Sequence, residues 1–234
     1  MPGEAAPSVR LAEVFGEIAR TLIAAGDVQA TLDEILRLAV STIDGAESAA
    51  ISLVAKRVVT TRAASSDAAR AVDAIQYETG EGPCLDAIRD HEVFRTDELA
   101  AERRWPNFAQ RATEATGIVS MLSIRLFIDG DTMGALSLYS AGKSAFADDA
   151  LAIASVFAAH AAVALSTARE HAGLQEALGS RDLIGQAKGI LMTREGITAK
   201  QAFAELAAAS QHLNRKLRDV ADDVATTGEL PDRS

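Results

Sequence analysis

Cysteine is nearly absent. Cys84 is the single one in 234 residues, so no intrachain disulfide framework is available. The four histidines are scattered and give no metal-ligand spacing. No carboxylate pair or nucleophile–base pattern stands out either, so no residue is nominated for catalysis or for a metal. No apolar stretch reads as a membrane span, and Met1-Pro-Gly-Glu lacks the basic and apolar regions of a signal peptide, which predicts a cytoplasmic protein without a membrane partner. Internal repeats and low-complexity linkers are missing as well.

What is present is a chain of 48% hydrophobic residues, enough for a substantial core and for two units, one of ordinary domain size and one small. The net charge of −10 is unevenly spread. Residues 180–219 hold seven Lys/Arg against four Asp/Glu and are +3, which leaves −13 on the remainder. An acidic chain attracts nucleic acid poorly by bulk charge, so any such contact has to be local and shape-specific.

The hydrophobic period locates the elements. Residues 9–25 place Val14, Phe15, Ile18, Leu22 and Ile23 on one helical face, and a second helix runs from about Val28 to Thr42 to a break at Asp44-Gly45. The period then changes: Ala50–Ala55 and Val58–Arg62 read as strands joined at Lys56-Arg57, followed by a helix over Ser66–Tyr77. Thr79–Asp86 reads as a loop entering a short helix with Pro83 near its first position, Val93–Thr96 as a strand, and Trp105–Thr116 as a helix. Two strands, Ser120–Ile128 and Met133–Tyr139, flank the tight-turn signal Asp129-Gly-Asp. From Asp148 to about Glu170 the helix carries too many apolar residues for one narrow stripe. The surplus on helices 9–25 and 148–170, Phe157 and Leu165 above all, predicts packing across a twofold axis.

The last fifty residues carry the chemistry. Thr198 and Gln201 form a capping box, with Ile197, Phe203, Leu206 and Ala207 as the expected buried stripe behind it, while Ala187 and Gly189 are read as allowing close helix packing. Asn214 reads as the N-cap of a final helix with Leu217, Val220, Ala221 and Val224 at helical spacing, so Arg215, Lys216 and Arg218 crowd its first turn. Cations repel the positive end of a helix unless an anion neutralises both, and a phosphate backbone is such an anion.

In order along three helices, Ala187, Gly189, Leu191 and Met192, then Ala202, Phe203 and Leu206, then Ser210, Asn214, Lys216, Leu217, Arg218 and Ala221 resemble the ANTAR domain over residues 176–231. The resemblance implies a three-helix RNA-binding module that holds paired stem-loops in nascent transcripts and prevents terminator formation. Lys188, Arg194, Gln211, His212, Asn214, Arg215, Lys216 and Arg218 are then the candidate RNA contacts, the cations for phosphates and the others for unpaired loop bases. Any one of these charges alone also reads as a solvated surface residue.

The element order over residues 10–168, with Gly80-Glu-Gly-Pro-Cys-Leu-Asp-Ala87, resembles a GAF domain, and that stretch is like those of actinobacterial GAF domains attached to ANTAR modules. The pairing implies an α+β chain: a GAF sensor at 10–168 with a central antiparallel sheet flanked by helices, then a connecting helix and all-α ANTAR module at 169–231. It implies a small-molecule ligand and leaves its identity, and any cofactor, unknown. Tyr77, Cys84, Leu85, Trp105, Phe108 and Met121 are candidates to line a cavity between sheet and helices, although aromatics at such positions are more often core than ligand contacts. The Asn-Lys-Phe-Asp-Glu combination of cyclic-nucleotide GAF domains is missing, which disfavours that ligand class. Cys84, after a proline at a helix start, reads either as a redox-sensing thiol of lowered pKa or as a packed one.

Two other function classes compete. Three short helices also describe a DNA-reading helix-turn-helix, but Asp219, Asp222 and Asp223 make the outer part of the last helix acidic. A GAF-type methionine sulfoxide reductase needs a resolving thiol that a single cysteine does not supply. The apolar pattern runs on through Leu165, Leu174, Leu178, Leu183 and Leu191 with only Gly173 and Gly179 to weaken it, so the connecting helix reads as a transmitter or as a semi-rigid spacer.

Overall fold

Alternation with a period of two sorts the strand residues onto two faces. The protein's structure, a computed structural model, describes residues 7–90, 92–128 and 131–231, with residues 7–12 and 131–132 as backbone only. It divides into two units, Met1–Arg169 and Glu170–Ser234.

The first unit begins with α1 (Pro7–Ala24) and α2 (Val28–Thr42), the latter opened by the Asp27 carboxylate accepting from the Ala30 N–H at 2.9 Å. Strands β1 (Ser48–Ala55) and β2 (Val58–Ala64) are joined by Lys56 and Arg57, both with positive φ (50° and 66°), the geometry of a two-residue hairpin. Then follow α3 (Asp67–Thr79), α4 (Pro83–Asp90), β3 (Val93–Thr96), α5 (Pro106–Thr116), β4 (Ser120–Ile128), β5 (Asp131–Ser140) and the start of α6 (Asp148–Glu195). The turn signalled by Asp129-Gly-Asp falls on residues 129 and 130, outside the described residues, and Ile128 pairs with Asp131. All strand pairs are antiparallel, in the order β2-β1-β5-β4-β3.

On one face Ile51, Leu53, Leu122, Ile124, Leu126, Leu136 and Leu138 pack against α1, α2 and the first half of α6. The other face, under α3, α4 and α5, is more polar: Ser52, Ser123, Ser137 and Tyr139 alternate with the leucines and are fully buried. Gly134 permits the close approach of β5 to β1, since a Cβ there would meet the Ser52 carbonyl oxygen at 1.8 Å.

Three expectations are corrected here. Phe15, Ile18 and Leu22 point into the core, but Val14 and Ile23 are exposed, because a stripe one turn wide takes only one side of the run. Phe157 and Leu165 are buried within the chain's own core; between residues 148 and 170 the large apolar residues left exposed on α6 are Val156 (46% exposed) and Val163 (55%). The apolar part of α6 does contain an 18-residue window of mean hydropathy 1.8, long and apolar enough to cross a membrane, contrary to the sequence reading. Its buried share belongs to the sheet's core, through Ala154, Phe157, Ala161 and Leu165.

In the second unit α6 continues unbroken to Glu195 and is followed by α7 (Ala199–Leu213) and α8 (Leu217–Thr227). The capping box at Thr198 and Gln201 is present in both directions. Ala187, Leu191, Ala202, Leu206, Ala209, Val220, Ala221 and Val224 form the core. Phe203 is not part of it: it remains 45% exposed on α7. Close packing is real at Ala187, which is fully buried, and not at Gly189, where an added Cβ would meet nothing within 4 Å.

Candidate nucleic-acid interface

Asn214 ends a helix; it does not begin one. It sits at φ 50°, ψ 40° as the C-cap of α7, its N–H directed at the Ser210 and Gln211 carbonyls, while the Ser210 hydroxyl donates to the Arg215 carbonyl at 2.6 Å. Asparagine is favoured both at N-caps and in the left-handed region, so its presence between two helices does not say which of the two it serves. Helix α8 starts two residues later than expected, with Lys216 at its N-cap and no side-chain capping bond, because an ammonium group has no acceptor to offer. Arg215 and Lys216 therefore precede the first turn, and Arg218 alone lies in it.

The cations there are largely neutralised from within. Arg215 Nη1 donates to Asp223 Oδ2 at 2.5 Å, and Arg218 donates to Glu176 on α6 and, through Nε at 3.2 Å, to Asp219. Arg194 donates to the Gly228 carbonyl at 2.7 Å and to Glu229 at 2.9 Å, closing the end of α8 against α6. These three arginines thus tie the helices together, each still partly exposed. Gln211, His212, Asn214 and Lys216 are exposed at the α7–α8 turn, and the Lys216 ammonium has no ion-pair partner among the described residues. Lys188 is half-buried on α6, facing α7.

The six residues nominated in the first unit separate into two settings. Trp105, Phe108 and Met121 belong to the core cluster between α3, α5 and the sheet, together with Val72, Leu99 and Tyr139. Cys84 is packed with Ala87 and Ala135, Leu85 is half-buried, and Tyr77 is half-buried with its hydroxyl bonded to Ser52 and Thr61 at 2.6 and 2.8 Å. Burial pushes the Cys84 thiol up to about 12, with the Asp73 charge adding to the effect, so at neutral pH it is a thiol and the redox-sensing reading loses its thiolate.

Two groups escaped the sequence reading. Asp73 on α3 is fully buried, and its carboxyl accepts from Tyr139, from Gln76 at 3.2 Å, from Ser52 at 3.1 Å and from Thr61 at 2.8 Å. Burial raises its pKa against the effect of those hydrogen bonds. Glu81, from the loop before α4, reaches across to α5 and accepts from the Asn107 N–H at 2.9 Å and its amide at 2.6 Å, supplying the cap that Trp105 does not. Gly82 makes room for this loop: at φ 139°, it passes so close to Gln76 that a Cβ would lie 2.3 Å from the oxygen that accepts the Cys84 N–H. Apart from Gln76, the partners in both groups are far apart in sequence, so no local pattern announces them.

Comparison with known proteins bears on both units. A family model for the GAF domain matches residues 25–166, and one for the ANTAR domain matches residues 172–224. Among solved structures, the chain is similar to the GAF domain of a phosphoenolpyruvate-protein phosphotransferase from Coxiella burnetii, with 15% identity and TM-score 0.55 over 72% of this chain and 99% of that one. It is also similar to free methionine-R-sulfoxide reductase from Neisseria meningitidis (15%, TM-score 0.51, 72% and 95%). The photosensory core module of a Stigmatella aurantiaca phytochrome aligns at 12% identity and TM-score 0.60 over 91% of this chain and 46% of that one. At such identities the likeness is one of fold. No curated protein matches the chain.

Proposed function

Since the chain belongs to the GAF domain family and continues into an ANTAR domain, we propose that this regulatory protein binds paired RNA stem-loops with its second unit, under control of a signal received by the first. The observation that carries the reading is the division of labour within the ANTAR match. Five apolar residues of the pattern, Ala187, Leu191, Ala202, Leu206 and Ala221, are buried, with Met192 and Phe203 left exposed, while Gln211, His212, Asn214 and Lys216 are exposed together at one turn. Stem-loops offer phosphates to the cations and unpaired bases to the amide and imidazole groups. Binding in a nascent transcript would keep a terminator from forming, in the cytoplasm where transcripts are made. Fold likeness to a reductase lends no chemistry here, because a thiol–disulfide cycle needs a partner that Cys84 lacks.

Two copies holding two stem-loops suit a twofold dimer. Its candidate surface is the outer face of α6, where Ala152, Val156, Ala159 and Val163 are exposed at alternating spacings of four and three. Filter binding of the full chain to stem-loop RNA and to duplex DNA of equal length tests the reading. RNA is expected to bind more tightly, and Lys216→Ala is expected to weaken it at every sequence and to lower the log–log salt slope by about 0.7–0.9. Preference for duplex DNA would overturn the assignment in favour of a helix-turn-helix regulator.

A further inference from the structure

Phe203 stands out because its own unit leaves nearly half of it uncovered. It borders a groove of about 460 Å³ between α6 and α7, lined on α6 by Ala177, Ser180, Arg181, Ile184, Gly185 and Lys188. A large aromatic side chain at 45% exposure sacrifices apolar burial that the adjacent core positions, Ala202 and Leu206, obtain in full. Gly185 is equally uneconomical within the fold. It costs about 1 kcal/mol relative to alanine in a helix interior, and yet an added Cβ would meet nothing within 4 Å. Intramolecular packing thus asks for neither residue, and together they leave a flat aromatic wall beside an open floor.

The charges say what fits. Arg194, Arg215 and Arg218 are all paired with carboxylates, whereas Arg181 and Lys188 have no ion-pair partner among the described residues. They lie seven residues apart on α6, about 10.5 Å along the axis, and both line the groove. A second copy of this chain docking an apolar face here would bury two cations without counter-charges. A nucleotide meets both requirements at once, a π-face for the ring and phosphates for the cations. Resting on the RNA-binding reading above, we infer that this groove seats one unpaired RNA base, stacked on Phe203 over Gly185, with the neighbouring phosphates held by Arg181 and Lys188.

The test uses the full chain and a stem-loop RNA selected with it from a pool of ten randomised loop nucleotides, together with copies in which each loop nucleotide in turn is abasic. Phe203→Leu keeps an apolar side chain and removes the stack; it is expected to weaken the intact stem-loop about 5- to 150-fold, the worth of one base–aromatic stack. Phe203→Trp should restore binding and report it, its emission quenched by RNA against the buried background of Trp105. One abasic position should weaken the unmodified chain to the same degree and make Phe203→Leu silent. Gly185→Leu should raise the melting temperature, replacing a helix-interior glycine, while weakening RNA binding, a combination no structural role produces. If the pool yields no stem-loop, the RNA reading fails and this inference with it. If stem-loops bind but Phe203→Leu leaves affinity unchanged, or weakens intact and abasic loops alike, the base seat alone is overturned. Loss of an oligomer on Phe203→Leu in sedimentation would likewise overturn it and assign the surface to a second copy.

Discussion

At the scale of single residues, the four hydrogen bonds onto the Asp73 carboxyl fill the acceptor positions of an ionised group, yet burial sets the direction of its shift. Its folded pKa lies above the ordinary 3.8, so folding binds the proton more tightly. The contribution of this group to stability is complete below that value and is withdrawn as the pH rises through the folded pKa. Asp73→Asn carries no such proton. Its melting temperature relative to the unmodified protein is expected to climb between pH 4 and pH 8, and a flat difference would mean that Asp73 titrates as an ordinary surface carboxylate. Cys84 provides a second check: fully buried and held as the thiol, it should resist a disulfide reagent in the native protein and react only as the chain unfolds. Labelling at the rate of a free thiol would contradict the packing around Ala87 and Ala135.

At the scale of elements, the turn between α7 and α8 makes opposite demands on Asn214 depending on which helix it serves. As the left-handed C-cap found here, it should tolerate glycine, while Asn214→Ser costs about 1 kcal/mol in urea unfolding. At an N-cap serine would be neutral, so the serine variant distinguishes the two geometries. The same comparison shows what the sequence reveals. The extent of α2, with Asp27 before it, the capping box at Thr198, and the period-two face Ile51–Leu53 opposite Leu136–Leu138 are all legible, because each signal is complete within a few residues. Asn214 is ambiguous because two local conformations favour the same side chain. Phe203 is misread inward because it neighbours buried positions in a helical pattern whose edge is not marked. Beyond local reach are the contacts that join distant segments: Tyr139 to Asp73, Arg218 to Glu176, and Glu81 to Asn107. Those contacts determine which charges are already neutralised, and so which remain for a ligand.

At the scale of the whole molecule, one helix, α6, belongs to both units. If a signal passes along it, its phase matters. Two residues inserted after Gly173 rotate the C-terminal remainder of the helix by about 200°, and seven return it to within about 20°. RNA affinity is expected to change with the first insertion and to survive the second; equal affinities would reduce α6 to a tether. Val156→Glu with Val163→Glu should yield monomers that keep their melting temperature, since both side chains already face outward, and an unchanged sedimentation coefficient would remove this face from the assembly. Between residues 169 and 179 every side chain of α6 is exposed, and Gly173 and Gly179 stand where even a methyl group would touch nothing. No side chain in that stretch is buried, so beyond surface contacts such as Glu176 with Arg218 its backbone hydrogen bonds rest on helix propensity, which two glycines lower by about 1 kcal/mol each. It is therefore the length of helix whose amides should exchange with deuterium fastest and where a protease should nick the chain first, releasing the two units as separate pieces.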